Sequence, residues 1–335
     1  MADNYSLPFH MTDEITNLIS EISEMLGALS VDTHFSPDPV LRRNNRMKTI
    51  HSSLAIEQNT LTLDQVTAVI EGKRVLGPPK DIQEVKNAFE AYERMGSLDP
   101  LSMDDLLTAH QLMMRDLIPD AGCFRNGNVG VFQNGQLIHA GTPARYVPEV
   151  MAQLFSWLRF STSHPLVKGC LFHFEFETIH PFSDGNGRTG RLWHSLILQQ
   201  WRPILAWLPV ESMVREHQEE YYQTLNGGQR QGDGTDFTAF MLRMLRDTLH
   251  EIRQEQRLHD VLNGVEHVVD QREQNRRSLL TIVKQRPKSS AREIALLMNM
   301  SPRQIQRVMA DLQADGKLIR HGSPKSGFWE VIDRD

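Results

Sequence analysis

Apolar residues recur every three or four positions over most of the chain, the pattern of helices that each bury one face. Ile15, Leu18, Ile19, Ile22 and Leu26 predict a first helix within residues 1–30. Pro37, Asp38 and Pro39 break it, and a second helix opens with Asp38 as N-cap, carrying Leu41, Met47, Ile50 and Leu54. A short helix closes at Gly72, and a stronger one from Asp81 to Met95 has Val85, Phe89 and Tyr92 on its apolar face. Further helices follow from Ser102 to Met114, from Pro148 to Phe160 (Met151, Leu154, Phe155, Leu158), from Ser212 to Leu225 and from Asp236 to Glu251. Gly227, Gly228, Gly232 and Gly234 predict a flexible loop between the last two. Two apolar runs, Val167 to Ile179 and Leu192 to Leu198, suit buried helices, and the polar segment between them is the densest in chemistry.

Strand signals are sparse. Val129, Val131, Leu137 and Ile138 flank Gln133-Asn134-Gly135, and Asn-Gly suits the type I′ turn of a two-residue hairpin. Beyond a polar helical connector over 252–275, residues 277–284 predict a helix, Ser290 with Glu293 a capping box, and Ser301-Pro302 the start of a third helix. Ile305, Val308, Met309 and Leu312 form the inner face of that helix, and Arg303, Gln304 and Arg307 point outward. Leu318-Ile319 and Phe328-Trp329, joined by a turn from Gly322 to Gly327, close as a small hairpin.

Composition changes this picture little: 40% hydrophobic and 23% charged residues are ordinary for a globular chain long enough for two or three domains. No apolar run approaches ~18 residues and the N-terminus has no basic-then-apolar pattern, so neither a membrane span nor a signal peptide is expected. Cys123 and Cys170 are the two cysteines, without metal-ligand spacing, which predicts a reducing, cytoplasmic location. Charge changes it more. Residues 271–335 hold 13 Lys/Arg against 7 Asp/Glu, so the net −6 of the whole chain divides into +6 here and −12 before it.

Residues 180–191, HPFSDGNGRTGR, gather one imidazole, one carboxylate, one amide, three glycines and two guanidiniums between the two apolar runs. Pro181, Ser183, Asp184 and Gly185 are turn formers, so a tight loop leads into a second helix near Gly185 to Arg188. The first amides of a helix lack intrahelical partners and attract anions. Gly185 and Gly187 allow close approach, Asn186 can add a side-chain donor, and Arg188 and Arg191 share a face suited to a polyphosphate. Asp184 offers hard oxygen for Mg²⁺, and His180 is placed as a general base. Each piece alone is commonly structural; together they predict phosphoryl or nucleotidyl transfer.

This segment resembles the signature of the Fic (filamentation induced by cAMP) domain family, HxFx(D/E)GNGRxxR, at every defined position. The resemblance implies a mainly α-helical fold, with a Fic-type core, a small β-hairpin flap and transfer of AMP from ATP to a Ser, Thr or Tyr hydroxyl of a target protein. It implies that His180 deprotonates the hydroxyl, Asp184 holds Mg²⁺, Gly185, Asn186 and Gly187 cradle the α- and β-phosphates, Arg188 and Arg191 bind the β/γ end, and Phe182 anchors the loop. Gly122, Cys123, Phe124 and Arg125 resemble the family's G-x-(F/Y)-R, and the flap built on Val129, Val131, Leu137 and Ile138 would hold the target beside His180. By position, Tyr221, Tyr222 and Gln229 are candidates for the adenine site.

Ser53 and Glu57 match the family's inhibitory motif (S/T)xxxE(G/N), with Gln58 where Gly or Asn is expected. The resemblance implies that Glu57 pairs with Arg191 and takes the guanidinium that a γ-phosphate needs. The C-terminal pattern resembles a winged helix-turn-helix whose Arg303, Gln304 and Arg307 would meet DNA, aided by Lys317, Arg320 and Lys325; a protein partner is the alternative. The expected organisation is therefore 1–95, a helical region carrying the inhibitory helix (about 42–59); 96–251, the catalytic core; 252–275, the connector; and 276–335, the winged domain. Removal of AMP by the same site, use of another nucleotide, a nucleotide-sensing DNA-binding regulator and a homodimer stay open as alternatives.

Overall fold

The computed structural model describes residues 7–31, 39–133, 136–298, 300–322 and 327–332; side chains are described there except at 29–31, 39–41, 131–133, 136–140 and 255–271. The chain divides into two compact units, Met1–Ile252 and Arg253–Asp335.

The first unit contains α1 (Asp13–Val31), α2 (Pro39–Ile56), α3 (Leu63–Ile70), α4 (Pro79–Arg94), α5 (Met103–Met114), the strands β1 (Gly130–Gln133) and β2 (Gln136–Ala140), α6 (Val147–Phe160), α7 (Pro165–Ile179), α8 (Asn186–Trp201), α9 (Val210–Glu216), α10 (Gln218–Gln231) and the start of α11 (Thr235–Gln285). Local chemistry sets the starts. Thr62 and Gln65 form a capping box on α3, the Ser102 hydroxyl accepts from the Asp105 amide, and Pro79 and Pro165 lie in first turns, where no N–H is needed.

α7 is the central helix. It is apolar almost all round, so it must be covered on every side. One apolar cluster joins its Leu171 and Phe174 to Ile15, Leu18 and Ile22 of α1 and to Phe237 and Phe240 of α11. A second joins Phe172 and Phe176 to Trp193 of α8, Leu54 of α2, Val85 of α4 and Met151 of α6. Each such side chain contributes roughly 1.5–3 kcal/mol on burial. Gly169 and Gly190 let α7 and α8 approach closely: a Cβ would stand 3.0 Å from Leu198 at the first and 3.1 Å from Phe176 at the second.

β1 and β2 pair antiparallel from Gly130↔Ala140 to Gln133↔Gln136, with a bulge between Val131 and Phe132. The connection is therefore two residues long, as expected; Asn134 and Gly135 themselves lie outside the described residues, as do the side chains of Val131, Leu137 and Ile138. The expected Ser212–Leu225 helix is instead two helices meeting at His217. Gly227 and Gly228 lie inside α10 rather than in a loop, because a Cβ on Gly228 would press 2.7 Å from the Phe174 ring.

The second unit comprises the end of α11, α12 (Ala291–Leu297), α13 (Pro302–Ala314) and the antiparallel strands β3 (Leu318–His321) and β4 (Phe328–Val331). Its core is Leu279, Val283, Ile294, Ile305, Met309, Leu312 and Leu318. Lys325 lies outside the described residues, with most of the β3–β4 turn, and Asp38 is outside them too. The expected helix, connector and helix over 236–284 are one helix, α11: the Gln-, Glu- and Arg-rich connector has high helix propensity and no proline, and its one glycine costs only about 1 kcal/mol. Among the described residues no helix is long and apolar enough to cross a membrane.

Candidate active site

The loop between α7 and α8 is built around a left-handed residue. His180 caps α7 at φ 53° and ψ 62°, with its N–H on the Phe176 carbonyl at 2.9 Å. That conformation costs a residue with a Cβ roughly 1–2 kcal/mol. The buried Arg125 offsets it: Nε donates to the His180 carbonyl at 2.7 Å, Nη1 to Gly127 at 2.8 Å, and Nη2 to the Thr142 and Ile179 carbonyls. Burial pulls this guanidinium down from its ordinary value, yet four carbonyl groups surround it. Thr142 N–H also reaches the Ile179 carbonyl at 3.2 Å, so the base of the hairpin is fastened to the end of α7.

Phe182 is fully buried, and the His110 ring stacks on it at 3.6 Å, nearly parallel. Nδ1 of His110 accepts from the Gly122 amide at 2.9 Å, so the proton is assigned to Nε2, which donates to the Asp184 carbonyl at 2.9 Å. Burial pushes His110 down to about 4, keeping it neutral. Sequence alone did not single out His110. Asn186 differs from expectation. Its Oδ1 accepts from the Phe182 amide and its Nδ2 donates to the Phe182 carbonyl, so the side chain staples the loop; what it offers an anion is its backbone N–H in the first turn of α8. Gly185 stands at φ 83°, and a Cβ there would overlap Met114 Sδ at 2.4 Å.

Arg188 and Arg191, expected to act together, are held by different glutamates. Arg188 is 3% exposed; Nη1 bonds Glu84 of α4 and Nη2 bonds Asp184, each at 3.0 Å. Glu84 also accepts from Asn59 Nδ2 at 2.8 Å. A signal for it existed: Glu84 shares the 84, 88, 91, 95 stripe with Ala88, Ala91 and Met95, and a carboxylate on a buried face needs a cation.

Arg191 Nη2 bonds Glu57 at 2.9 Å and the Ser53 carbonyl at 2.8 Å, while Nε meets the Ser53 hydroxyl at 3.1 Å. α2 ends at Ile56, earlier than expected. Gln58 N–H bonds the Ala55 carbonyl and Asn59 N–H the Leu54 carbonyl, a Schellman closure with Gln58 left-handed at φ 68°. The position where the motif expects Gly or Asn is thus the one that favours those residues sterically. The closure sets the Glu57 carboxylate on the backbone of Gly187, where a Cβ would stand 2.2 Å from Oε1. An anion occupies the glycine cradle, and it belongs to the chain itself.

The side chains expected around adenine divide. Tyr221 is 1% exposed, its hydroxyl 3.2 Å from His173 Nε2 and its ring against Phe237, so it is a core residue. Tyr222 and Gln229 are partly buried. Among the described residues no cluster of three or more His, Cys, Asp or Glu side chains could hold a metal ion. Asp184, with its side chain 46% exposed and both recorded bonds on Oδ1, fits a cation that takes one carboxylate and completes its shell with phosphate and water. In the second unit Arg303 and Arg307 are exposed, but Gln304 Oε1 accepts from Ser301, spending that side chain on the cap of α13.

Residues 100–198 match the Fic/DOC family. A Fic family protein from Desulfovibrio desulfuricans G20 is 42% identical, with a TM-score of 0.72 and 99% of each chain covered. The protein adenylyltransferases fic-1 of Caenorhabditis elegans and Fic of Nematostella vectensis are 31% and 30% identical over 58% and 60% of this chain, which spans only 39% and 47% of theirs. A solved structure of part of Caenorhabditis elegans Fic-1 shares the fold at 23% identity, with a TM-score of 0.61 over 73% of each chain. With 42% identity over 99% of each chain in the Desulfovibrio match, the chain belongs to the Fic family.

Proposed function

We propose that this chain is a protein adenylyltransferase that moves AMP from ATP to a Ser, Thr or Tyr hydroxyl of a target protein, held down by its own Glu57. The carrying observation is the Glu57 carboxylate seated on Gly187 and paired with Arg191. A carboxylate in that place marks an anion site, and its removal opens the amides of α8 and one guanidinium to a nucleotide phosphate. The names of the curated relatives support the same activity.

In this reading the backbone amides at Gly185–Gly187 orient the phosphates, and Arg191, once released, takes the terminal phosphate. His180 removes the hydroxyl proton as the target oxygen attacks the α-phosphorus; the bond to the pyrophosphate oxygen breaks and pyrophosphate leaves. Mg²⁺, bound at Asp184, would neutralise phosphate charge and polarise the α-phosphate. Arg188 acts at one remove, fixing the Asp184 carboxylate from a buried pair with Glu84. The hairpin is fastened to the end of α7 beside His180, which suits capture of an extended target segment by strand addition.

For the second unit we propose a winged helix-turn-helix that meets DNA, with Arg303 and Arg307 on the exposed side of α13. The +6 balance of residues 271–335 supports phosphate contact.

The test is transfer of label from α-³²P-ATP with Mg²⁺ by wild type, Glu57→Gly and Glu57→Gly/His180→Ala. Labelling should rise in the single variant and vanish in the double. Silence in all three, with ATP still bound, would favour AMP removal or nucleotide sensing instead.

A further inference from the structure

α7 brings a second carboxyl group to the active site, one turn before His180. Glu177 is 6% exposed; Oε2 lies 3.9 Å from His180 Nδ1 and Oε1 3.8 Å from His173 Nε2. Oε1 is buried without a hydrogen-bond partner. Gly190 of α8 closes the other side, where a Cβ would stand 2.8 Å from that oxygen. The titratable and charged groups facing the carboxyl are His173 and His180 on its own helix, Arg191 of α8, Glu57 after α2, and Tyr221 and Tyr222 of α10. Fold stability offers no reason for a carboxyl with an unmatched oxygen in this place.

We propose that Glu177 is the positioning residue for His180: it holds Nδ1 as the protonated nitrogen, so that Nε2 accepts the target proton, and by its own charge it sets the strength of that base. This rests on the transfer reading above. The 3.9 Å separation exceeds a hydrogen bond, but catalytic contacts are often long before substrate binds and tighten in the complex. Burial pushes Glu177 up to about 8, opposed by Arg191 and reinforced by Glu57. Near neutral pH the carboxyl is therefore protonated, and its carbonyl oxygen is the acceptor for Nδ1–H. Above that point it becomes an anion beside the imidazole, which makes the imidazole a stronger base and stabilises the imidazolium formed when the hydroxyl proton arrives. Glu57 is one of the groups that keep Glu177 protonated, so withdrawing Glu57 both clears Arg191 and moves the ionisation of Glu177 toward lower pH.

The deciding measurement is a pH titration of ¹³C-labelled histidine by NMR in the full chain, with His180→Ala assigning the resonance. The His180 signal should show two inflections, the upper one near pH 8, absent in Glu177→Gln and present in Glu177→Asp. A single inflection that superimposes on that of Glu177→Gln overturns the proposal. In the Glu57→Gly background, kcat for label transfer should rise about tenfold with pH, centred below the upper NMR inflection of the wild type, and Glu177→Gln should flatten that rise while KM for ATP is unchanged. Absence of transfer at every pH would defeat the transfer reading alone, since the NMR titration decides the role of Glu177 without activity. If Glu177→Gln does not fold, the upper inflection of Glu177→Asp decides: its absence overturns the proposal.

Discussion

Arg188 and Arg191 lie one turn apart on the same helix, and each meets a glutamate from another part of the first unit, yet the two pairs are built for opposite ends. Glu84 projects from the middle of α4, with its side chain 5% exposed, and is held by Asn59 as well as by Arg188. Glu57 sits just beyond the end of α2, with its side chain 29% exposed, on a turn closed by a left-handed glutamine. The first pair is a brace, because neither charge can reach water when its partner is lost. The second suits the latch proposed above, because Glu57 is partly exposed and its departure would leave Arg191 for another anion. Identical chemistry thus gives rigidity or switching according to burial and the number of supporting hydrogen bonds.

The sharpest way to break this comparison is Glu84→Gln. Arg188 would then keep Asp184 as its carboxylate partner, and losing the buried bond to Glu84 should cost about 1.5–3 kcal/mol and lower the melting temperature by roughly 5 °C. A change of under ~1 kcal/mol would make the brace no different from a surface pair. Glu57→Gly leaves Arg191 on Ser53 and opens it to water, so it should cost less, about 0.5–1.5 kcal/mol, while tightening ATP binding at least about tenfold, read by calorimetry; unchanged affinity would remove the latch.

A smaller effect comes through pH. Burial holds His110 and His194 at about 4 in the folded chain, below the roughly 6.5 of an unfolded imidazole. The unfolded state therefore takes up protons first, so their contribution is full above about 6.5 and is lost as pH falls toward 4. Glu177, raised to about 8, works the other way, losing stability as pH rises from about 4.3. The imidazoles outnumber it below 6.5, so unfolding free energy by urea should fall by about 1–3 kcal/mol between pH 6.5 and 5. No fall would mean that the contact from the Gly122 amide to His110 Nδ1 does not depend on a neutral ring. The smallest effect is Gln58→Gly, which relieves the left-handed strain that shapes the latch. It should stabilise the chain by about 1 kcal/mol without disturbing Arg191; a destabilised variant would show that Gln58 makes a contact that outweighs its backbone cost.

Most of the helices were legible because each needs only a short window: the stripes of α1, α4 and α6 and the Ser102, Ser290 and Ser301 caps are local chemistry. The joint at His217 and the unbroken α11 were not. The first depends on packing that no local pattern carries, and the second on how much helix propensity a polar segment keeps without a core. In the site, the twelve residues from His180 to Arg191 stood out by residue type and spacing, and Ser53 and Glu57 by resemblance to the family's inhibitory motif. Glu84 and His110 did not, because each acts through a partner 74 to 104 positions away along the chain.

What the sequence by itself determined is the kit: a tight loop rich in glycine, an imidazole, a carboxylate, two guanidiniums and a carboxylate near the end of α2. Residue type and spacing suffice for that, since helix turns and capping act within a few residues. Only the tertiary structure decided how the kit is spent. It turned Asn186 inward onto Phe182, put Tyr221 in the core, gave Arg188 to a buried brace and laid Glu57 on Gly187. Those choices follow from which charges end up dry together, and desolvation is a property of the packed molecule rather than of any segment of its chain.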